Sequence, residues 1–369
     1  MRSKELLVAA GALAVVLWFA MPATPWEFDE LLFVQSVTHY EPLVHHPPPP
    51  GYPVFVFVAK IARLLFRNNF ATIVGVNYAA SIAGFVLLAM AFARLADDMM
   101  RGVAGAVLFY FSPSMLVDST LAMSDPGAVA LLAAALFVRR PWLIGALAAL
   151  TVGWRPQFAI FVVPWFFVTV AMMRGWRNRA MAAGAFAIVC VVWLVPLVVA
   201  TGSVDRLIRF ESSQAGYLAQ HDAGVSRSGY TPPLIAFRFV AHPWGTKVMS
   251  LPVLALAAFG VYWSARTRNW RVLPLAIAGI AYIGFALRFM DPADGVRYAI
   301  PFTLVMAFFA GVVPASGRPF AGRRDGGTTP VLVVFVAASI VYTSSVISQR
   351  AGSASPPFRA AQFAKATAP

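Results

Sequence analysis

Eleven apolar stretches follow one another along this chain, and only a membrane accounts for that many. They cover 6–22, 71–93, 102–117, 122–138, 142–153, 157–173, 180–200, 248–265, 272–287, 298–314 and 329–347. A helix needs ~20 apolar residues to cross a hydrocarbon core of ~30 Å. Two of the stretches are one apolar run interrupted by Gly153-Trp154-Arg155-Pro156. Proline breaks a helix and a guanidinium is costly in lipid. The run therefore reads as two short spans that meet at Arg155 near one membrane face. Only 12% of the residues are charged, where a soluble domain carries about 25%. The expected fold is an all-α polytopic membrane protein with about eleven transmembrane helices. Residues 1–347 form one domain, and 348–369 are expected to be a disordered tail.

The N-terminal sequence MRSKELLVAAGALAVVLWFAMPAT has the basic start of a signal peptide. Its apolar run, Leu6–Met21, exceeds the ~7–15 residues of a cleavable core, so it reads as an uncleaved first span. The lone cysteine, Cys190, allows no intrachain disulfide framework. The formal charge of +14 does not indicate a nucleic-acid partner. The basic residues fall in short clusters between apolar runs, such as RGWRNR at 174–179 and RTRNWR at 266–271, the pattern of cytoplasmic loops.

That bias also orients the chain. The segment 52–66 (YPVFVFVAKIARLLF) is apolar but short, and Lys60 and Arg63 interrupt it. If it lies along the membrane, the loops 1–5, 94–101, 139–141, 174–179, 266–271 and 315–328 are cytoplasmic and hold 15 of the 29 Lys and Arg. The same choice puts 11 of the 15 acids outside. If it spans, every later basic loop moves outside, against the positive-inside bias. The segment is thus expected to be an amphipathic juxtamembrane helix in the first outer loop, 23–70. The N-terminus is then cytoplasmic, and a second long outer loop covers 201–247.

Polar residues gather on that outer face. Glu27, Asp29 and Glu30 leave the first span in PWEFDE. Asp118, Ser124 and Asp125 turn the chain between the third and fourth spans. Arg155 sits between the fifth and sixth, and Arg288, Asp291, Asp294, Arg297 and Tyr298 lie between the ninth and tenth. Carboxylates can move a proton on one ligand while guanidiniums hold the phosphate of another. Each residue also has a plainer role. Asp29 or Glu30 suits the first turn of a helix beginning near Phe28. Asp125 before Pro126 suits a helix N-cap. Arg155 and Arg297 suit interfacial anchoring. His45 and His46 read as loop residues, since no H-x-x-x-H spacing accompanies them. Pro47–Pro50 reads as a stiff polyproline turn.

In order as well as content, these pieces resemble the GT-C superfamily of multispan glycosyltransferases, in particular its protein O-mannosyltransferase-like branch. Such enzymes place an acidic motif after the first span, here Glu27-Phe28-Asp29-Glu30. A Pro-rich turn and an interfacial helix follow, here His46-Pro47-Pro48-Pro49-Pro50-Gly51-Tyr52-Pro53. Then come an S-x-D-x-P-like turn, here Ser124-Asp125-Pro126, and an R-Y-x-x-P element, here Arg297-Tyr298-Ala299-Ile300-Pro301. The resemblance covers the N-terminal half well and the last three spans mainly through R-Y-x-x-P. Many relatives carry Lys before the Pro pair, where this chain has His45-His46.

The resemblance implies an inverting transfer from a polyprenyl-phosphate sugar donor to a lipid, glycan or protein acceptor on the outer, periplasmic face of a bacterial inner membrane. It implies Asp29 as catalytic base, with Glu27 and Glu30 in the same acidic motif. Arg155, Arg297 and Tyr298 are the candidates for the donor phosphate. His45, His46, Asp125 and Tyr217 are the supporting or acceptor-binding candidates, and Tyr217, His221 and Tyr230 are expected to cover the acceptor site. Glu27 with Asp29 is the candidate pair for a divalent cation, Mg²⁺ or Mn²⁺. A transporter or flippase is the main rival. Transporters place ionisable residues at mid-membrane and usually show repeated halves, and neither feature is visible here. A lipid-modifying acyltransferase needs a His or Ser constellation within a span, which the sequence lacks.

Overall fold

The computed structural model of the protein describes residues 2–224, 226, 228–313 and 329–352. Among the described residues the chain is helical, with one isolated antiparallel bridge between Glu41 and His46. In chain order the helices are α1 (Arg2–Ala20), α2 (Phe28–Ser36), α3 (Pro53–Ala62), α4 (Asn69–Ala96), α5 (Met99–Tyr110), α6 (Pro113–Asp118), α7 (Asp125–Phe137), α8 (Pro141–Trp154) and α9 (Ala159–Met172). They continue as α10 (Trp176–Thr201), α11 (Val204–His221), α12 (Pro232–Ala236), α13 (Lys247–Arg266), α14 (Leu273–Phe289), α15 (Gly295–Tyr298), α16 (Ile300–Gly311) and α17 (Thr329–Gly352).

Each of the eleven apolar stretches carries a helix. Among the described residues, four helical segments are long and apolar enough to cross a membrane: Asn69–Ala96, Trp176–Thr201, Lys247–Arg266 and Trp270–Phe289. Several shorter apolar helices pack among them. The break at Arg155-Pro156 falls where the sequence places it, with a 3-10 turn over Pro156–Phe158 between α8 and α9. The stretch 102–117 is not one helix. Ser112 accepts from the Met115 amide at 3.3 Å and Pro113 opens α6; a cap followed by proline starts a new helix. The segment 52–66 is helical only over Pro53–Ala62, about 15 Å at 1.5 Å per residue. Pro47–Pro50 forms a turn, closed by the Gly51 amide donating to the Pro48 carbonyl at 3.1 Å, and not an extended polyproline stretch. Helix α17 runs to Gly352, five residues into the expected tail. Residues 353–369 and the basic loop 315–328 lie outside the described residues.

Small residues let the helices meet closely, as they do where lipid offers no hydrophobic drive between helices. A Cβ added at Gly145 of α8 would lie 2.0 Å from the Ala182 carbonyl of α10, and one at Gly311 of α16 would lie 2.5 Å from the Gly105 amide of α5. The core runs through α4, α5, α7 and α16, where Phe85, Leu88, Phe109, Leu132 and Leu304 are buried. By contrast, α10 turns Ile188, Val192, Val195 and Val199 outward, a surface suited to lipid. The predicted sidedness has a direct check. With Cys190 replaced, a cysteine at exposed Arg177 should react with an impermeant maleimide only from the cytoplasm, and one at exposed Tyr217 only from outside. The reverse labelling would invert the topology.

Candidate active site

Two buried polar groups set the floor of the site. Asn77, fully buried in α4, donates to the carbonyls of Leu121 at 2.6 Å and Met123 at 2.7 Å. Glu30, also fully buried, accepts from the amides of Trp26 at 2.5 Å, Glu27 at 2.7 Å and Ala122 at 2.5 Å. Charge-assisted bonds of this kind are about twice as strong as neutral ones. Together they fix the start of α2 against the segment 119–124 that leads into α7. Glu30 is therefore occupied in holding backbone and lines neither of the cavities described below.

On this floor stands a chain of alternating charges. Arg155 donates to Asp125 at 2.8 Å and to the Ser124 hydroxyl at 2.9 Å. Arg297 donates through Nε to the same Asp125 oxygen at 3.3 Å and through Nη1 to Asp29 at 3.2 Å. Exposure rises along the chain. The Asp125 and Arg155 side chains are sealed at 0% and 2%, Arg297 is 14% exposed and Asp29 39%. Burial lowers the Arg297 pKa, but Asp125, Tyr298 and Asp29 outweigh it and hold the guanidinium well above the ordinary arginine value. Asp125 does not act as the N-cap. Ser124 occupies that position and Asp125 opens the helix, which frees its carboxylate for the two arginines. Trp154 donates to the Ser124 carbonyl at 2.8 Å and locks the turn.

Asp29 and Arg297 stand between two cavities. The smaller, about 490 Å³, is bounded by Trp26, Glu27, Asp118, Leu121 and His242 among others. The larger, about 680 Å³, has apolar walls from Leu32, Ile160, Phe285 and Phe289, with His45 and Tyr298 at polar positions. Phe28, Asp29, Asp294 and Arg297 line both. Two carboxylates, Asp29 and Asp294, and one guanidinium are thus presented to two compartments at once.

The other expected residues divide. Glu27 reaches the smaller cavity, and His45 and Tyr298 the larger. Arg155 reaches neither, because it lies beneath Asp125 and not beside an open space. His46 serves through its backbone, which pairs with Glu41 at 2.7 and 3.1 Å. Tyr217 is 55% exposed and stacks on His221 with ring centroids 4.5 Å apart. Its helix, α11, lines the larger cavity instead through Gln214, Leu218 and Ala219. Glu27 and Asp29 both line the smaller cavity. Among the described residues no three His, Cys, Asp or Glu gather closely enough to hold an ion.

Several residues were not found from sequence. Gln157 donates to the Tyr52 hydroxyl at 2.6 Å, and both line the larger cavity. Burial pushes the Tyr52 hydroxyl pKa up, against the pull of Arg155 and Arg297. Tyr282 donates to the Tyr298 carbonyl at 2.6 Å and steadies the R-Y element. His242 borders the smaller cavity, and burial and Arg238 lower its pKa. Asn77 did leave a signal, as a polar side chain inside an apolar span.

No family model matches the sequence, and no curated protein matches it. Solved structures do. ArnT from Cupriavidus metallidurans bound to undecaprenyl phosphate superposes with a TM-score of 0.61 at 15% identity, over 92% of this chain and 65% of that one. The Archaeoglobus fulgidus oligosaccharyltransferase tethered to an acceptor peptide containing the NVT sequon gives 0.58 at 13% identity, over 99% of this chain and 57% of that one. The same enzyme in complex with Zn and sulfate gives 0.56 at 16% identity. The fold is the one shared by ArnT and the archaeal oligosaccharyltransferase. This chain spans about two thirds of the length of ArnT and somewhat over half that of the oligosaccharyltransferase. It is the fold that the resemblance read from the sequence leads one to expect.

The charge chain predicts a division of labour between stability and turnover. Arg155→Met leaves Asp125 buried with one partner fewer, and breaking a buried pair costs about 3–5 kcal/mol. Its unfolding midpoint in detergent should fall clearly, whereas Asp29→Asn, at a more exposed carboxylate, should leave the midpoint within experimental error. An unchanged midpoint for Arg155→Met would remove its structural role.

Proposed function

We propose that this protein is an inverting glycosyltransferase that moves a sugar from a polyprenyl-phosphate donor to an acceptor hydroxyl on the outer face of the membrane. The observation that carries the reading is the position of Asp29 and Arg297, shared by two cavities. A displacement needs two substrates to meet at one base and one phosphate-binding cation, and a carrier moving one solute does not.

The larger cavity suits the donor. Its aromatic and aliphatic walls accept the start of an isoprenoid chain, and Arg297, His45 and Tyr298 face the phosphate. The smaller cavity suits the acceptor. Asp29 takes the proton as the acceptor O–H bond breaks and the oxygen bonds to the anomeric carbon. The C–O bond to the phosphate breaks on the opposite side, and the lipid phosphate leaves with the electron pair. A phosphate leaving group needs a fixed positive charge more than a proton. Asp125 and Arg155 keep Arg297 aimed, so little reorganisation accompanies the charge transfer. Glu27 orients the acceptor beside Asp29. The residues present do not form a three-ligand set, and no step here is routed through a divalent cation. That ArnT was solved with undecaprenyl phosphate and the oligosaccharyltransferase with an acceptor peptide supports a lipid-phosphate donor and a separate acceptor site in this fold.

Two outcomes test the reading. Purified protein incubated with radiolabelled polyprenyl-phosphate sugars and an envelope extract should consume one donor. Asp29→Asn should reduce turnover by about 10²–10⁴-fold, the usual contribution of a general base, with donor binding retained. Arg297→Lys keeps the charge but loses the planar fork that grips phosphate oxygens, so donor affinity should fall more than stability. Turnover by Asp29→Asn at the wild-type rate, or no donor binding with any sugar, would overturn the assignment.

A further inference from the structure

A third cavity lies at the opposite end of the bundle. Helix α7 leads from Asp125 in the site to Phe137 at this end, 13 residues or about 20 Å. The cavity encloses about 580 Å³ and is lined by Arg94, Arg139, Arg174 and Arg271, with Asp97 as the acid among its lining residues. Asp97 accepts from Arg271 at 2.8 Å through both oxygens, so three guanidiniums of the lining are left unbalanced. Arg94 is anchored in place, donating to the carbonyls of Phe137 and, at 3.3 Å, Val138. It shares Arg94, Leu95, Ile144 and Thr169 with an adjoining slot of about 100 Å³ between α4, α7, α8, α9 and α14. Leu136, Ile144, Trp165 and Leu275, all buried, form the walls of that slot.

Arginines accumulate in cytoplasmic loops whatever else they do, so their number alone assigns nothing. Their convergence on a concave mouth beside an apolar slot is a different matter. It matches a molecule with an anionic head and an apolar chain. We propose that this end of the bundle binds an anionic phospholipid of the cytoplasmic leaflet, with its phosphate among Arg94, Arg139, Arg174 and Arg271 and the first few methylenes of one acyl chain at the slot. Guanidiniums suit phosphate oxygens because the planar fork can donate twice, and basic pockets between transmembrane helices on this side of a membrane take phosphate head groups. The site is independent of the transfer chemistry at the other end and stands whether or not that reading holds.

Native mass spectrometry of the detergent-purified full chain tests this, with phosphatidylglycerol, cardiolipin or phosphatidylcholine added in turn. One anionic lipid should be retained per protein, and phosphatidylcholine should be retained at least about tenfold less, given the contribution of each basic residue to anionic-lipid binding. Arg139→Gln with Arg174→Gln changes exposed side chains and should abolish the preference in a folded protein. Arg94→Gln should do the same but removes a helix-end contact, so the double variant is the deciding one. Equal retention of phosphatidylcholine, or an unchanged preference in the double variant, would overturn the proposal. Full displacement of the lipid by millimolar inorganic phosphate would also overturn it, because the pocket would then recognise a free anion and not a lipid.

Discussion

The buried pair of Asp125 and Arg155 is the constraint on which the site rests. Two opposite charges taken out of solvent are stable only when geometry and hydrogen bonding are good. Here Arg155 also reaches the Ser124 hydroxyl, and Asp125 serves a second guanidinium. That sharing ties α7, the α8–α9 break and the approach to α16 to one point. Asp29 is then placed by the same network from a fourth direction, because Arg297 joins it to Asp125. Four segments distant in sequence converge through three side-chain contacts.

The backbone near Asp29 is held as firmly as its charge. Glu30 binds Ala122 across 92 positions of sequence, and Asn77 grips the carbonyls on either side of that residue. Neighbouring carboxylates of one short motif thus have opposite fates. Glu30 turns inward and is consumed by amides, while Asp29 turns toward the cavities. One residue, about 100° around the helix, separates the two, and the first-turn position places both near the positive end of the helix dipole.

Much of this was legible in the sequence, because membrane burial writes in long apolar runs and charged interruptions. The apolar stretches that each carry a helix, the Arg155-Pro156 break and the convergence of Asp29, Asp125 and Arg297 follow from that code. The division of 102–117 was signalled by Ser112-Pro113 but lost in an unbroken apolar reading. What hydropathy cannot encode is which side of a helix faces a cavity. It therefore could not separate Glu30 from Asp29, nor see that Arg155 lies beneath Asp125. Tyr52 and Gln157 escaped for the same reason, since their pairing joins segments 105 positions apart. Tyr217 was attractive as an aromatic in a long polar loop, yet the helical phase of α11 points Gln214 and Leu218 at the cavity instead.

Helix α11 contains no fully buried residue, yet four of its side chains form part of the larger cavity's wall. Its sequence is therefore almost free of the packing demands that bind the rest of the bundle. Residues along it can diverge between relatives at little expense to folding, while each change reshapes what the cavity will admit. On the proposed function, the stretch of cavity wall that α11 supplies can therefore change without a compensating change in the core.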